Sequence, residues 1–175
     1  MATARDRDLT PEPIDPGVRI GHVHLKVADL GRSLAFYCGV LGFELTQRYG
    51  AQAAFVSAGG YHHHIGLNTW ESQGGPPPAP GTTGLYHIAI LLPNRRELAR
   101  TFKRVLENGV RIDGASDHGV SEAIYFRDPD GNGIEIYRDR DPQDWPRRNG
   151  EINMVTRPLD LRALLAELET EAATP

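Results

Sequence analysis

The chain has 175 residues, of which 39% are hydrophobic and 24% are charged, a composition typical of a globular protein and not of a fibrous, disordered or membrane-spanning one. Its formal net charge of -4 provides no basic surface for a phosphate backbone, which argues against nucleic acid as a partner. A single cysteine, Cys38, excludes an intrachain disulfide, and the N-terminus lacks the apolar segment of a signal peptide. We therefore expect a cytoplasmic protein that has no membrane partner.

The first strand is predicted directly after a polar, proline-rich arm that covers residues 1–18. Residues 19–27 alternate between two sets of side chains with a period of two, which is typical of a strand. His22 and His24 share one face with Ile20. The other face carries Val23, Leu25 and Val27. This strand therefore presents two imidazoles on the side opposite to its main aliphatic residues.

A helix and three further strands complete a β-α-β-β-β unit over residues 19–73. Asp29 is a favourable helix N-cap, and Gly42 is placed to end the helix. The strands are predicted in residues 43–50, 53–58 and 62–70. The next segment, residues 74–84, is rich in glycine and proline, which predicts a linker.

The same pattern restarts after the linker, in residues 85–140. An apolar strand is followed by a helix that ends at Gly109 and by three strands, the last two of which are joined by the turn DPDGNG. Aligning His22 with His87, an offset of 65 residues, superimposes the apolar positions of the two units. We interpret the chain as a degenerate duplication of one module and not as a solenoid.

Residues 141–175 extend beyond this duplication. The segment LDLRALLAELETEA has leucines at helical spacing, which predicts an amphipathic helix. The leucine stripe consists of Leu161, Leu164, Leu165 and Leu168. The helix is expected either to cap the mouth of a cavity or to pack against a second chain, and the sequence does not choose between them.

Three consecutive histidines occur in the stretch YHHHIGL, in the middle of the chain, so they are not the remnant of a tag. If the stretch is a strand, its period of two places His62, His64 and Gly66 on one face and His63 on the other. The run then either fills a solvated strand edge or contributes imidazoles to a functional site.

Three segments carry a resemblance to a known family. They are GHVHLKVADLGRSLAFYCGVLGF, LYHIAILL and YFRDPDGNGIEIY, and together they resemble the vicinal oxygen chelate superfamily, which includes glyoxalase I, fosfomycin- and bleomycin-resistance proteins and extradiol ring-cleaving dioxygenases. The resemblance covers roughly residues 19–140. It implies an α+β fold in which two tandem β-α-β-β-β modules form an open barrel around a divalent metal, with the helices outside.

The resemblance also implies three metal ligands, His22, His87 and Glu135. Strands of a stiff sheet hold such ligands in place without help from the metal. Two imidazoles and one carboxylate form the facial triad that suits non-haem Fe(II) and leaves open positions for substrate and oxygen. Fe(II) is therefore the expected cofactor, with Mn(II) or another divalent metal as the alternative.

Glyoxalase I-like members carry a glutamate at the position of Gly66, where the carboxylate completes the metal shell and serves as a base. Its absence here argues against glyoxalase activity and leaves room for a catechol that binds through both oxygens. The cavity around this position is expected to be lined by His24, His62, Gly66 and Asn68.

The ring-cleaving members imply an acid–base pair near the metal. They carry a histidine two residues before the position of Gly66, here His64, and a tyrosine ten residues before the carboxylate ligand, here Tyr125. Histidine exchanges protons near neutral pH, so His64 is expected to act on the catechol and Tyr125 to hydrogen-bond a substrate oxygen. Many members also have a histidine nine residues before the tyrosine, where this chain has Ser116. His118, seven residues before it, either takes that role or lies on the surface.

Three functions fit this pattern. The leading one is an extradiol dioxygenase that acts on a small aromatic diol of the catechol type and O2, similar to the small catechol 2,3-dioxygenase-like proteins. The others are a different metal-dependent member of the superfamily, such as an antibiotic thiol transferase, an isomerase or an epimerase, and a metal-free binding protein. The three ligands argue against the binding protein, and His64 with Tyr125 argues against the transferase. The identity of the catechol, homo-oligomerisation and a site within one chain or shared between two stay open.

Overall fold

The computed structural model describes residues 12–169 and confirms an α+β fold with two β-α-β-β-β units. Residues 1–11 of the predicted arm and residues 170–175 of the C-terminal extension, which include the end of its predicted helix, lie outside the described residues. The first unit comprises β1 (Val23–Lys26), α1 (Leu30–Leu34), β2 (Glu44–Tyr49), β3 (Ala53–Ser57) and β4 (Ile65–Asn68). The second comprises β5 (Ile88–Leu91), α2 (Arg95–Glu107), β6 (Ile112–Asp117), β7 (Ser121–Arg127) and β8 (Gly133–Asp139).

Each unit forms its own sheet. The strand order is β1-β4-β3-β2 in the first sheet and β11-β6-β7-β8-β5 in the second, where β11 (Arg157–Pro158) comes from the C-terminal extension. β1 runs parallel to β4 and β5 runs parallel to β8, and the other neighbours are antiparallel. Over residues 12–169 no strand of one sheet pairs with a strand of the other, and the open barrel stays a prediction.

The period of two predicted for the first strand is confirmed. Leu25 and Val27 are buried, whereas His22, His24 and Lys26 are exposed. Burial of the aliphatic side chains stabilises this orientation, because their transfer from water is favourable. The opposite face of β1 is therefore left to the histidines.

The first helix begins as predicted and then changes type. Asp29 is its N-cap, and the carboxylate accepts a hydrogen bond from the Arg32 amide at 2.8 Å. A π-helical segment, Ala35–Val40, continues α1, and Gly42 follows with a φ of +85°, which glycine adopts without strain. The apolar spacing did not distinguish this segment from an α-helix, because the two differ by about one residue per turn. Gly109, with a φ of +70°, follows α2 as predicted.

The turn between β7 and β8 forms hydrogen bonds between the two units. Its residues form the turn themselves, as predicted, since the Asp128 carboxylate accepts hydrogen bonds from the Asp130 and Asn132 amides, each at 2.9 Å. The Tyr37 hydroxyl donates to Asp128 Oδ2 at 2.9 Å, and the Ala28 amide donates to Asp130 Oδ1 at 3.1 Å. These contacts fix the end of β1 and the first helix against the start of β8.

Replacing Tyr37 with phenylalanine should lower the free energy of unfolding by about 1.5–3 kcal/mol, because a hydrogen bond to a buried carboxylate is lost. Urea unfolding followed by circular dichroism measures the change. Tyr49→Phe is the matched control, since Tyr49 is exposed on β2, and it should change stability by less than about 0.5 kcal/mol. Equal effects of the two substitutions would contradict a stabilising role for the contact.

The C-terminal extension lies along the second unit. It comprises a 3₁₀ turn (Pro142–Asp144), β9 (Arg147–Arg148), β10 (Glu151–Ile152), β11 and α3 (Leu161–Ala166). Leu164 is fully buried, and Arg95 of α2 donates to the Ala163 carbonyl at 3.3 Å and forms an ion pair with Glu167. The helix thus packs on α2 of its own chain, a placement that differs from both alternatives drawn from the sequence. None of the helices within residues 12–169 is long and apolar enough to cross a membrane.

The segment 114–123 forms most of the hairpin made by β6 and β7. Its polar residues obscured the strands in the sequence. Arg140 neutralises acidic side chains of the two strands, because it pairs with Asp117 at 2.7 Å and with the buried Glu122 at 3.2 Å. Gly119, with a φ of +77°, makes the turn of the hairpin possible.

Candidate metal and acid–base site

His87 and Glu135 form a close pair on the second sheet. β5 and β8 are neighbours with Ala89 opposite Glu135, and His87 directly precedes β5. Glu135 Oε2 lies 2.9 Å from His87 Nε2. Ile134 and Ile136 on either side of Glu135 are buried, so strand alternation turns the carboxylate away from the core.

Tyr125 and His118 extend this pair into a hydrogen-bonded series. Tyr125 stands opposite Glu135 in the β7–β8 ladder, and its hydroxyl donates to Glu135 Oε1 at 3.2 Å. His118 Nε2 lies 2.8 Å from the same hydroxyl. His118 therefore reaches Tyr125 and does not stand alone on the surface. The hairpin of β6 and β7 carries it there.

The surroundings of Tyr125 keep its hydroxyl protonated. Burial raises the pKa of Tyr125 to about 12, and the adjacent Glu135 carboxylate contributes to the rise. At neutral pH the phenol is therefore a hydrogen-bond donor as well as an acceptor.

His22 and His24 lie on the exposed face of the first sheet. The His22 ring packs against the His63 ring, with centroids 4.3 Å apart. His24 stands opposite Gly66 in the β1–β4 ladder, and a Cβ atom at Gly66 would lie 2.9 Å from the His24 ring. The absence of a side chain at Gly66 thus provides the space that the His24 ring occupies.

The run of three histidines departs from the predicted alternation. β4 begins only at Ile65, and the histidines lie in an irregular segment, so a period of two does not apply to them. His63, expected to point away from the ligand position, is the one that contacts His22. Gly59 and Gly60, with φ values of +64° and +77°, precede the run and were the sequence signal of a turn at this place.

His64 lies against the end of β3. The Ala58 amide donates to its Nδ1 at 3.4 Å, and the Ser57 hydroxyl lies 2.9 Å from the same nitrogen. Since the Ala58 amide can only donate, Nδ1 accepts, and in the neutral ring Nε2 carries the proton and can donate it to a ligand.

The remaining predicted lining residues make local contacts. His62 Nδ1 lies 2.7 Å from His63 Nδ1, and the Tyr61 and His62 ring centroids are 4.1 Å apart. Asn68 is buried, and its Oδ1 accepts a hydrogen bond from the Trp70 amide at 3.2 Å. Asn68 therefore shapes the end of β4, and His62 belongs with His22 and His63 to a cluster of contacting rings, the histidine cluster.

The pKa values of two histidines of the first unit, His24 and His63, are lowered from the ordinary value. Burial is the main cause for both His24 and His63, and the neighbouring His22 lowers both values further. Their surroundings therefore disfavour the charged form of these rings in the folded state.

Metal-free protein should lose stability as the pH falls from 7.5 to 5.5. The folded pKa values of His24 and His63 lie below the unfolded value of about 6.5, so the unfolded chain binds more protons as the pH falls through this range. Urea unfolding in the presence of a chelator measures the loss, which should be smaller in a His24→Gln, His63→Gln double variant. A loss of the same size in both proteins would contradict this origin.

Among residues 12–169, His22 is not grouped with His87 and Glu135 around one point. Ala28 at the end of β1 contacts Asp130 just before β8, whereas His22 lies six residues earlier, at the opposite end of β1. Six extended residues span about 20 Å. Within residues 12–169 no three His, Cys, Asp or Glu side chains are grouped closely enough to hold a metal ion.

A cavity of about 770 Å³ runs along β5 and is bordered by His22 and His87. His87 lies on its wall together with the residues up to Pro93, and His22 lies on the wall formed by β1. His64 borders the same cavity. Its lining also includes Ile20 and Leu85, which are exposed apolar residues. The cavity thus connects the two histidine-bearing edges without bringing them together.

His87 and Glu135 fit a divalent metal as two of its ligands. Two donor atoms bound to one ion at about 2.1 Å lie roughly 3 Å apart, and the observed separation is 2.9 Å. Tyr125 holds the other Glu135 oxygen, as a hydrogen-bonding partner of a ligating carboxylate does. On the far side of the ring, the buried His87 Nδ1 has no hydrogen-bond partner among residues 12–169. The pair is one ligand short of the predicted triad, and His22 is the missing member.

Comparison with known proteins places the chain in a family. The sequence profile of the Glyoxalase/Bleomycin resistance protein/Dioxygenase superfamily matches residues 19–136. A catechol-2,3-dioxygenase of Bacillus subtilis (strain 168) is 42% identical over 163 residues, which cover 92% of this chain and 56% of that protein. Biphenyl-2,3-diol 1,2-dioxygenase 3 of Rhodococcus globerulus is 30% identical over 121 residues, or 69% of this chain and 63% of that protein. The chain thus spans less than two thirds of either dioxygenase.

Proteins of other activities are similar as well. A lactoylglutathione lyase of Escherichia coli O157:H7 is 30% identical over 129 residues, which cover 71% of this chain and 95% of that protein. A crystal structure of a glyoxalase/dioxygenase from Nostoc punctiforme superimposes with a TM-score of 0.62 at 23% identity over 75% of this chain and 99% of that one, a likeness of fold alone. Given the profile match, the chain belongs to the Glyoxalase/Bleomycin resistance protein/Dioxygenase superfamily.

Proposed function

We propose that this protein is a metal-dependent extradiol dioxygenase that cleaves a catechol-type aromatic with O2. The observation that supports this proposal most strongly is the series His118–Tyr125–Glu135–His87, in which each contact is 3.2 Å or shorter. It sets a proton-exchanging pair directly beside two metal-binding side chains. The similarity to two proteins named as diol dioxygenases agrees with this assignment.

His87, Glu135 and His22 would hold the metal, with Fe(II) as the expected ion and Mn(II) as the alternative. A bound divalent ion would supply the open coordination positions that the reaction of a catechol with O2 requires. Gly66 supports ring cleavage over the glyoxalase reaction, because no carboxylate occupies that position and the His24 ring fills the space beside it.

Tyr125, His118 and His64 would move protons at the substrate. The Tyr125 hydroxyl is protonated at neutral pH and can donate to a substrate oxygen bound beside Glu135. His118 Nε2, which contacts the same hydroxyl, would exchange a proton with Tyr125. The Ala58 amide donates to His64 Nδ1, so in the neutral ring Nε2 carries the proton, and His64 would act as the acid that donates this proton to a substrate oxygen.

A second copy of the chain would supply His22. Over residues 12–169 His22 is not grouped with His87 and Glu135, and the outer edges of β1 and β5 have no strand partner. Ile20 and Tyr86, next to these edges, are 91% and 86% exposed, although burial of such side chains is favourable. A symmetric dimer that pairs the β1 half of one copy with the β5 half of the other would form two complete sites. The half that carries His22 also carries His64.

Anaerobic reconstitution with Fe(II), followed by oxygen and a panel of catechols, tests the proposed activity. A yellow ring-opened product that requires the metal is expected, and His64→Ala should slow its formation by about 100-fold or more, as expected for loss of an acid–base group. A protein that binds the metal stoichiometrically and turns over no catechol would overturn the dioxygenase assignment and favour an isomerase or transferase.

A further inference from the structure

The C-terminal extension contacts the proposed acid–base series from outside the segment that matches the family profile. Val155 lies 19 residues beyond the last matched residue, 136. Its amide donates to the His118 carbonyl at 3.1 Å, and its carbonyl lies 3.0 Å from His118 Nδ1. The Thr156 hydroxyl lies 3.4 Å from the same nitrogen. One short segment therefore holds both the backbone and the ring of His118.

The surrounding contacts keep this segment in register with the hairpin. β11 pairs with β6, with Arg157 opposite Asp117 and Pro158 opposite Ser116. A Cβ atom at Gly119 would lie 2.8 Å from the Pro146 ring, so the extension packs closely on the turn beside His118. The segment is thus positioned by its own contacts and does not depend on the His118 ring.

The contact with Val155 specifies which ring nitrogen carries the proton. A backbone carbonyl accepts hydrogen bonds and cannot donate one, so His118 Nδ1 must be the donor in this contact. In the neutral ring the proton is then on Nδ1, and Nε2 presents a lone pair to the Tyr125 hydroxyl. The other tautomer would leave two acceptors facing each other at 3.0 Å.

This tautomer determines the direction of proton movement. Tyr125 has one hydroxyl proton and two neighbours, His118 Nε2 and Glu135 Oε1, at 2.8 Å and 3.2 Å. When His118 is neutral with Nδ1 protonated, the Tyr125 proton can be donated to Nε2. When His118 is doubly protonated, Nε2 donates to the Tyr125 oxygen, and the Tyr125 proton is directed to the Glu135 side. Because Nδ1 is occupied by the Val155 carbonyl, His118 accepts and returns a proton only at Nε2, through Tyr125.

We propose that the segment 153–156 is a positioning element of the active site, in which the Val155 carbonyl fixes the Nδ1-protonated tautomer of His118 so that Nε2 faces Tyr125. Its catalytic consequence rests on the proposed function. The tautomer itself is a property of the metal-free protein and does not depend on that function.

The test is nuclear magnetic resonance of the full chain labelled with ¹⁵N at histidine, free of metal and at about pH 8.5, where an ordinary histidine is neutral. His118→Gln assigns the His118 signals. The expected spectrum shows a protonated-type Nδ1 and an unprotonated-type Nε2 for His118. An Nε2-protonated ring, or a rapid mixture of both tautomers in the unmodified protein, would overturn the proposal.

A pair of proline variants links the tautomer to this segment. Val155→Pro removes the amide that donates to the His118 carbonyl, whereas Met154→Pro places the same residue at an exposed neighbouring position. Val155→Pro should produce mixed tautomers and lower kcat by about 10-fold with little change in KM, and Met154→Pro should leave the spectrum unchanged. A fixed tautomer and an unchanged rate in Val155→Pro would overturn the role of the segment. A fixed tautomer in a protein that cleaves no catechol would uphold the positioning element and count against the proposed function.

Discussion

Replacing Glu135 with glutamine should abolish tight metal binding and lower ring cleavage by more than about 100-fold. The substitution keeps the shape of the side chain and an acceptor for the Tyr125 hydroxyl but removes the negative charge that a divalent metal needs from this position. Loss of a mere partner of a metal ligand already costs 10–100-fold, so loss of a ligand should cost at least as much. Isothermal titration with a divalent metal and kcat/KM for the best catechol measure the two effects.

Glu44→Gln is the control for this substitution, because Glu44 is exposed on a strand of the other sheet. It should leave both quantities unchanged. If Glu135→Gln bound the metal as tightly as the unmodified protein, the assignment of Glu135 as a ligand would be wrong.

Mixing His22→Ala subunits with Glu135→Gln subunits should restore activity that neither variant has alone. In a mixed dimer one shared site contains both substitutions, and the other contains neither. Random exchange makes about half of the dimers mixed, so the mixture should reach about one quarter of the unmodified activity. Metal bound per dimer should rise in the same proportion. The experiment requires unfolding and refolding of the two variants together, followed by reconstitution with Fe(II).

His87→Ala mixed with Glu135→Gln provides the matched control. Both residues belong to the same half-site, 2.9 Å apart, so every site of a mixed dimer retains one substitution. This mixture should stay inactive. An inactive mixture of His22→Ala with Glu135→Gln, under conditions that refold the unmodified protein, would contradict a shared site and place all three ligands within one chain.

Side-chain periodicity predicted the parts of the site that lie on regular strands. His24 faces away from Leu25, and Glu135 stands between the buried Ile134 and Ile136, because a strand alternates its side chains strictly. The ten-residue spacing shared with ring-cleaving enzymes pointed to Tyr125, and its position opposite Glu135 in the ladder agrees with that expectation. Positions fixed by a local period are therefore available from sequence.

Positions fixed by irregular backbone or by distant partners were not predicted. The alternation assumed for the triple histidine run was wrong, since Gly59 and Gly60 open a turn and β4 starts only at Ile65. Val155, which contacts His118 Nδ1, lies in the C-terminal extension. The strand next to it there, β11, has only two residues and therefore no periodic signal. The separation of His22 from His87 depends on how the two units pack, which no local pattern specifies.

Labelling with ¹⁸O₂ tests the central claim, ring cleavage with incorporation of both oxygen atoms, most directly. Protein reconstituted with Fe(II) is allowed to turn over one equivalent of the best catechol under ¹⁸O₂, and the ring-opened product is reduced at once with borohydride, before its carbonyl oxygen exchanges with water, and analysed by mass spectrometry. The proposed function predicts a product that carries two labelled atoms and is not formed by Glu135→Gln. A product with one labelled atom or none, or the same product from Glu135→Gln, would contradict it.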